Sequence, residues 1–234
     1  MNEMMDALAA GLPQLGLTLT QKQMDTLCAF GEAVIRQNEV MNLTAITDPA
    51  QVAKLHLLDS LTVLTAGDLS GKRLIDVGCG AGFPGVPLKL AEPSISLTLL
   101  DSLQKRVRWL HETLTAMGVQ AECVAARAEE FSAREQYDIA VSRAVARLNL
   151  LCELCLPLAK EGGAFIAMKG PDCADELNAA KRAIKLLGGE VEDVKKYLDA
   201  GAAKAVLDLN RESNRELLTE ASARFGREKI AVYV

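Results

Sequence analysis

Residues 74–85 constrain the fold of this chain more than any other stretch. The apolar residues Leu74 and Ile75 lead to an acid, Asp76, and then Val77. Glycines follow at alternate positions, Gly78, Gly80 and Gly82, and after them Phe83, Pro84 and Gly85. This order predicts a strand that runs into a tight loop and opens a helix. Glycine tolerates positive φ and carries no Cβ, so a ligand can approach the backbone closely. Pro84 suits the first helical turn, where its missing N–H costs nothing. The unpaired N–H groups of that turn suit a polar or anionic group. A nucleotide-type pocket is the expectation.

The rest of the chain divides around this stretch. Residues 2–15 have the pattern of a short amphipathic helix ending near Gly16, and Thr20 can cap a longer one from Gln21 to about Asn38. Asp48 followed by Pro49 starts a third helix that runs to about Thr65. Residues 1–70 therefore read as an all-helical N-terminal cap, and residues 71–234 as a second unit. In that unit strands and helices alternate. Strands are expected at 73–77, 95–100, 121–125, 137–142, 163–168 and 204–209, and helices near 84–91, 104–117, 147–158 and 174–187. Several of these strands are continuous apolar runs, as in a parallel sheet covered on both faces. The fold class is α/β, a doubly wound, Rossmann-like sheet with right-handed crossovers and its pocket at the carboxyl ends of the strands.

Composition excludes some classes. With 234 residues, half of them hydrophobic, the chain can bury a substantial core. The net charge of −5 means that any contact with nucleic acid must come from local patches. Six cysteines are scattered through apolar or helical contexts, which does not suggest a disulfide framework. Cys152 and Cys155 form a lone CxxC with no second pair, and the only histidines are His56 and His111. Two core thiols near one helix face are expected there, and no metal. The first residues lack a secretory pattern and no run reaches the roughly 20 apolar residues of a membrane span. The expected location is the cytoplasm, away from any membrane.

The glycine loop spells GxGxxG from Gly80 to Gly85, which by itself invites a dinucleotide. Two details oppose that reading. The first glycine after the strand is Gly78, so the match starts two residues late. Asp76 would also stand close to a pyrophosphate, an unfavourable neighbour for a carboxylate, whereas it would favour a cation. S-adenosylmethionine carries a sulfonium and an ammonium and no phosphate, so Asp76, Gly80 and Gly82 point to that cofactor. Asp101, at the end of the second strand, is placed to accept ribose hydroxyls. Arg143 follows the fourth strand and Lys169 the fifth, both at the pocket edge, where they can hold a phosphate or orient a base.

Together these residues resemble a known family, the bacterial small-subunit ribosomal RNA guanine-N7 methyltransferases, also called glucose-inhibited division protein B. The resemblance covers roughly residues 20–190. It is carried by Asn42-Leu43-Thr44-Ala45-Ile46, His56-Leu57-Leu58-Asp59-Ser60, the glycine loop through Phe83-Pro84-Gly85, Leu100-Asp101-Ser102-Leu103, Lys105-Arg106, Ala128-Glu129-Glu130, Ser142-Arg143-Ala144 and Met168-Lys169-Gly170. The loop alone would indicate only a methyltransferase; the Phe-Pro-Gly, Leu-Asp-Ser and Ser-Arg-Ala stretches are more specific.

The resemblance implies a class I S-adenosylmethionine-dependent methyltransferase with an N-terminal helical extension. It implies methylation of a guanine N7 in the 530 loop of 16S rRNA, with the rRNA or the small ribosomal subunit as partner; a monomer is a separate expectation. It also implies that Gly78, Phe83, Ala128, Glu129 and Arg143 contact the cofactor. His56 and Asp59, one helical turn apart, either face the site or form a structural polar pair. Arg143, His56 and Lys169 are the positioning candidates. Arg106, Arg108, Arg127 and Arg147, with Arg143 and Lys169, are candidates for a phosphate track.

The end of the chain departs from the family's usual basic, proline-containing tail. It has an acid-rich stretch from Glu212 to Ala221, and only Arg224 to Lys229 is basic. Three other readings compete: a methyltransferase for another RNA, a protein or a small molecule, the last two favoured by the acidic balance; a nucleotide-binding module without catalysis; and a dinucleotide oxidoreductase.

Overall fold

The computed structural model of this chain describes residues 3–143, 145–170, 173–191 and 229–233. The strand expected at 204–209, the acid-rich stretch after it and the basic residues from Arg224 to Glu228 lie outside the described residues.

Five parallel strands form most of one sheet: β1 (Arg73–Val77), β2 (Ser96–Asp101), β3 (Glu122–Ala125), β4 (Tyr137–Arg143) and β5 (Ala159–Met168). Each lies within a few residues of its expected place. Two strands were not expected, β6 (Glu190–Val191) and β7 (Lys229–Tyr233), and they pair antiparallel at the β5 edge. The strand order is β3-β2-β1-β4-β5-β7-β6. The doubly wound α/β expectation holds, with an antiparallel pair added at that edge. A two-residue strand such as β6 carries too little periodicity to be told from loop.

Strand alternation sends successive side chains to opposite faces. Leu74, Leu97 and Leu99 point to one apolar cluster, and Ile75, Val77 and Leu100 to the other. The first cluster contains the cap: α1 (Glu3–Gly11), α2 (Gln21–Met41), and a continuous helical run from Pro49 to Thr65. It also contains α5 (Gly85–Ala91) and α6 (Gln104–Ala116). The second contains α7 (Leu148–Cys155) and α8 (Cys173–Leu186). The helices before residue 70 thus share one apolar cluster with one face of the sheet. Cys152 and Cys155 are fully buried in the second cluster, and burial pushes both thiols up, Cys152 to about 12. Thiols held protonated in this way suit packing, not redox chemistry.

Local signals set the cap. Thr20 and Gln23 form a reciprocal capping box at the start of α2. Gln23 Nε2 also donates to the Ala91 carbonyl at 2.8 Å, stitching the cap to the end of α5. Asp48 accepts from the Gln51 N–H, with Pro49 at the first helical position. The run that follows is helical but not uniformly α: α3 (Pro49–Val52), a π-helical turn (Ala53–Leu58), α4 (Asp59–Leu61) and a 3₁₀ turn (Thr62–Thr65). His56 lies in the π-helical turn, a widening often found at functional positions.

Asp76 shares the face of Leu74 and so points at the start of α5. Its Oδ2 accepts the Gly85 N–H at 2.7 Å. The unpaired helix-start N–H expected to attract a ligand is thus taken by the chain's own carboxylate. Pro84 stands just outside the helix as its N-cap, one residue earlier than expected.

A Cβ built at Gly85 would lie 2.8 Å from Asp76 Oδ2 and 2.9 Å from Leu99 Cδ2. Gly85→Ala is expected to cost about 1–3 kcal/mol by overpacking, roughly 2–4 °C in Tm per kcal/mol. Gly67→Ala, with no atom within 4 Å of its Cβ, is the neutral control. Equal melting temperatures for the two variants would contradict this account.

Candidate functional site

The strand order reverses between β1 and β4, and a crevice opens there at the carboxyl ends. The cavity, about 410 Å³, is lined by the loops after β1, β2 and β4 and by the cap. Gly78 and Gly80 supply its glycine wall, both at positive φ. A Cβ at Gly78 would stand 2.5 Å from Val145 Cγ2, so only glycine leaves this wall open.

Asp101 braces that wall. Its Oδ2 accepts the Gly80 N–H at 2.9 Å and its Oδ1 the Leu103 N–H at 2.8 Å. Asp101 is buried yet lines the cavity, with lone pairs on both oxygens left for a ligand.

Phe83 is the hub of the opposite wall. Phe30 from α2 meets its edge at 5.5 Å, His56 stacks on it at 4.8 Å between centroids, and the Arg143 guanidinium lies 5.1 Å above its ring. Arg143 Nη1 donates to Asp59 Oδ2 at 3.1 Å and to the Leu55 carbonyl at 3.2 Å. The Arg143 and Asp59 side chains are only 15% and 12% exposed. An ion pair this sheltered is far more costly to break than a surface one. His56, which lines the cavity, and Asp59, which does not, both contact the sheet-edge arginine from the cap.

Both nitrogens of His56 are engaged. Nε2 pairs with the Thr44 hydroxyl at 2.8 Å, and Nδ1 lies 3.0 Å from the Leu55 carbonyl and 3.3 Å from Arg143 Nη2. In either neutral tautomer no ring lone pair is left over for proton abstraction. The imidazole acts as a strut between the loop at Thr44 and the helical run.

The other expected residues lie elsewhere. Asp76 does not line the cavity; it is wholly buried behind the glycine loop, and its Oδ1 has no hydrogen-bond partner. Burial raises its pKa from 3.8 to about 7, against the opposing effects of the Gly85 N–H and Arg143. Gly82 packs inward, where a Cβ would meet Val86, Leu110 and Phe30 within 3.0 Å. Ala128 packs towards the second core cluster, and Glu129 is exposed and paired with Arg127 at 3.0 Å. Lys169 turns away from the cavity lining: it donates to the Ala146 carbonyl at 2.8 Å and pairs with Glu176 at 2.7 Å, and Glu176 also accepts the Leu148 N–H at the start of α7. It braces the loop after β4. Thr44, Leu103 and Val145 line the cavity and were not foreseen. Thr44 and Leu103 lie within stretches that carry the resemblance, whereas Val145 is an apolar residue with no local pattern to mark it.

A larger groove, about 830 Å³, lies at the amino ends of the strands beside Arg73, Thr98 and Tyr137. It lacks a glycine wall backed by a carboxylate. Among the described residues no group of three or more His, Cys, Asp or Glu could hold a metal ion, and no helix is long and apolar enough to cross a membrane.

Comparison with known proteins shows the family and the fold. The family model for rRNA small subunit methyltransferase G matches residues 21–205. Among curated relatives, the ribosomal RNA small subunit methyltransferase G of Alkaliphilus oremlandii is 48% identical over 196 residues, 81% of this chain and 82% of that protein. Its namesake from Pelotomaculum thermopropionicum is 43% identical over 200 residues, 83% and 84% of the two chains. Among solved structures, the [4+2]-cyclase SpnF superposes with a TM-score of 0.51 at 18% identity, over 75% of each chain. A SAM-dependent methyltransferase from Aquifex aeolicus superposes with a TM-score of 0.50 at 16% identity, over 70% of this chain and 90% of that one. At such identities these two show the shared fold. The chain belongs to the rRNA small subunit methyltransferase G family.

The state of Asp76 can be read from stability. A carboxyl whose pKa is raised by folding keeps its proton at pH values where the unfolded chain has released it. Stability then falls as pH rises from about 4 to about 7, and this contribution is flat above. Asn does not titrate. The stability of Asp76→Asn minus that of the natural protein should therefore rise between pH 4 and 7 in urea unfolding and level off beyond. A difference independent of pH would contradict the buried-acid assignment.

Proposed function

We propose that this member of the rRNA small subunit methyltransferase G family transfers the methyl group of S-adenosylmethionine to N7 of a guanine in the 530 loop of 16S rRNA. It would act as a cytoplasmic monomer on the rRNA or on the small ribosomal subunit. The observation that carries this reading is the glycine-walled cavity braced by Asp101 in a chain of this family.

The residues present fit the cofactor. Gly78 and Gly80 form a cradle that a Cβ would fill or strain. Asp101 offers acceptors suited to ribose hydroxyls, and Phe83 and Arg143 close the wall beside the cap. Asp76 and Gly82 shape the loop from behind. Asp76, whose charged form is penalised by burial, would be favoured as the carboxylate by a cation in the cavity. Ala128 and Glu129 enter the cofactor set on family resemblance alone.

When bound, S-adenosylmethionine supplies an electrophilic methyl group activated by its sulfonium. The chain's own task is positioning. Guanine N7 has a lone pair and no proton, so no general base is needed, and the fully engaged His56 is consistent with that. Catalysis of this kind rests on alignment, with reacting atoms held roughly 3–3.5 Å apart. Arg143 is the positioning residue, fixed by Asp59 and the Leu55 carbonyl and seated over Phe83. N7 is hidden in the deep groove of A-form RNA and accessible in irregular loops, which suits a loop target. Of the candidate phosphate track, Arg127, Arg143 and Lys169 are engaged by Glu129, Asp59 and Glu176, whereas Arg108 and Arg147 are exposed. The last two are the better candidates for RNA phosphates.

With labelled S-adenosylmethionine, the protein should label small subunits or deproteinised 16S rRNA, at a guanine N7 that chemical cleavage maps to the 530 loop. Arg143→Ala should lower kcat/KM roughly 10- to 100-fold, the range of one charge-assisted hydrogen bond. Label found only in protein or small molecules would contradict the substrate assignment.

A further inference from the structure

Arg106, on the first turn of α6, lines the same cavity as Asp101. Its Nη1 stands 4.0 Å from Asp101 Oδ2, too far for a direct hydrogen bond. Its Nε is buried and has no hydrogen-bond partner. Nε itself is closed to the cavity, but a guanidinium with an unpaired Nε is short of acceptors, and its Nη1 faces Asp101 across a gap that a bound group can fill.

The charges select the chemistry of that group. An anion drawn to Arg106 would meet the Asp101 carboxylate, and a cation drawn to Asp101 would meet the guanidinium. A hydroxyl satisfies both, because it donates through its proton to the carboxylate and accepts through its oxygen from the guanidinium. Asp101 is free to take part: each of its oxygens already accepts one backbone N–H and keeps a second lone pair.

We propose that Arg106 is a further cofactor-binding residue, and that Arg106 and Asp101 together hold one ribose hydroxyl between them. This rests on the reading of the cavity as the S-adenosylmethionine site. It moves Arg106 from the RNA phosphate track to the nucleoside end of the pocket. It also gives the site a reason to discriminate against ligands that lack that hydroxyl, since their binding would leave the donor unpaired.

The test is titration calorimetry with S-adenosylhomocysteine and its 2′-deoxy and 3′-deoxy ribose analogues, on the natural protein and on Arg106→Gln. The natural protein should bind one of the two analogues roughly tenfold more weakly than the parent. Arg106→Gln should bind the parent roughly tenfold more weakly and no longer distinguish that analogue from it. Arg106→Lys, which keeps the charge without the planar fork, carries the same cycle if the glutamine variant does not fold. The same hydroxyl penalty in natural and variant proteins would overturn the proposal. So would unchanged S-adenosylhomocysteine affinity with weakened 16S rRNA binding, which would return the guanidinium to a phosphate. A natural protein that fails to bind S-adenosylhomocysteine would overturn the cofactor reading itself, whereas binding that is indifferent to Arg106 would overturn this inference alone.

Discussion

One buried hydrogen bond organises the site, the 2.7 Å contact from the Gly85 N–H to Asp76 Oδ2. It ties the end of the glycine loop back to the strand from which the loop departs. The carboxylate pays a desolvation cost for this, visible in its raised pKa. In return α5 begins at a fixed point, and the loop between is closed at both ends. Asp101 then fixes the loop's midpoint through Gly80. Two acids thus turn a run of glycines, the residues with most freedom to lose on folding, into a rigid wall.

The second wall is fixed from the cap. Arg143 leaves the end of β4 and is captured by Asp59 and the Leu55 carbonyl of the helical run. Phe83 lies beneath it, shared with His56 and Phe30. Apart from the Arg143–Phe83 contact itself, each contact in this group joins a residue of the sheet unit to one of the cap. The cap is therefore part of the cavity's construction: without it Arg143 would lose its carboxylate and Phe83 most of its ring contacts.

The sequence made the sheet legible because parallel strands covered on both faces are short apolar runs bounded by turns, as at β1 and β2. It could not show β6 and β7, which are short and pair with residues far along the chain. Among cavity residues, Gly80 and Asp101 were readable from position alone, and Gly78 from the family resemblance. Asp76 was readable as important but not in its orientation, because strand alternation decides which face it takes. Lys169 and Glu129 show the opposite limit. Both follow strands at the carboxyl edge, yet local partners, Glu176 and Arg127, turn their charges elsewhere. Edge position predicts proximity; only side-chain pairing decides which groups reach the cavity.

The central claim is that the carboxyl-end cavity between the glycine wall and Arg143 holds the nucleoside of the cofactor. A crystal structure of the complex with S-adenosylhomocysteine tests it most directly. The account predicts ligand density against Gly78 and Gly80 with the ribose at Asp101. Density in the larger groove at the amino ends of the strands, beside Thr98 and Tyr137, would contradict it.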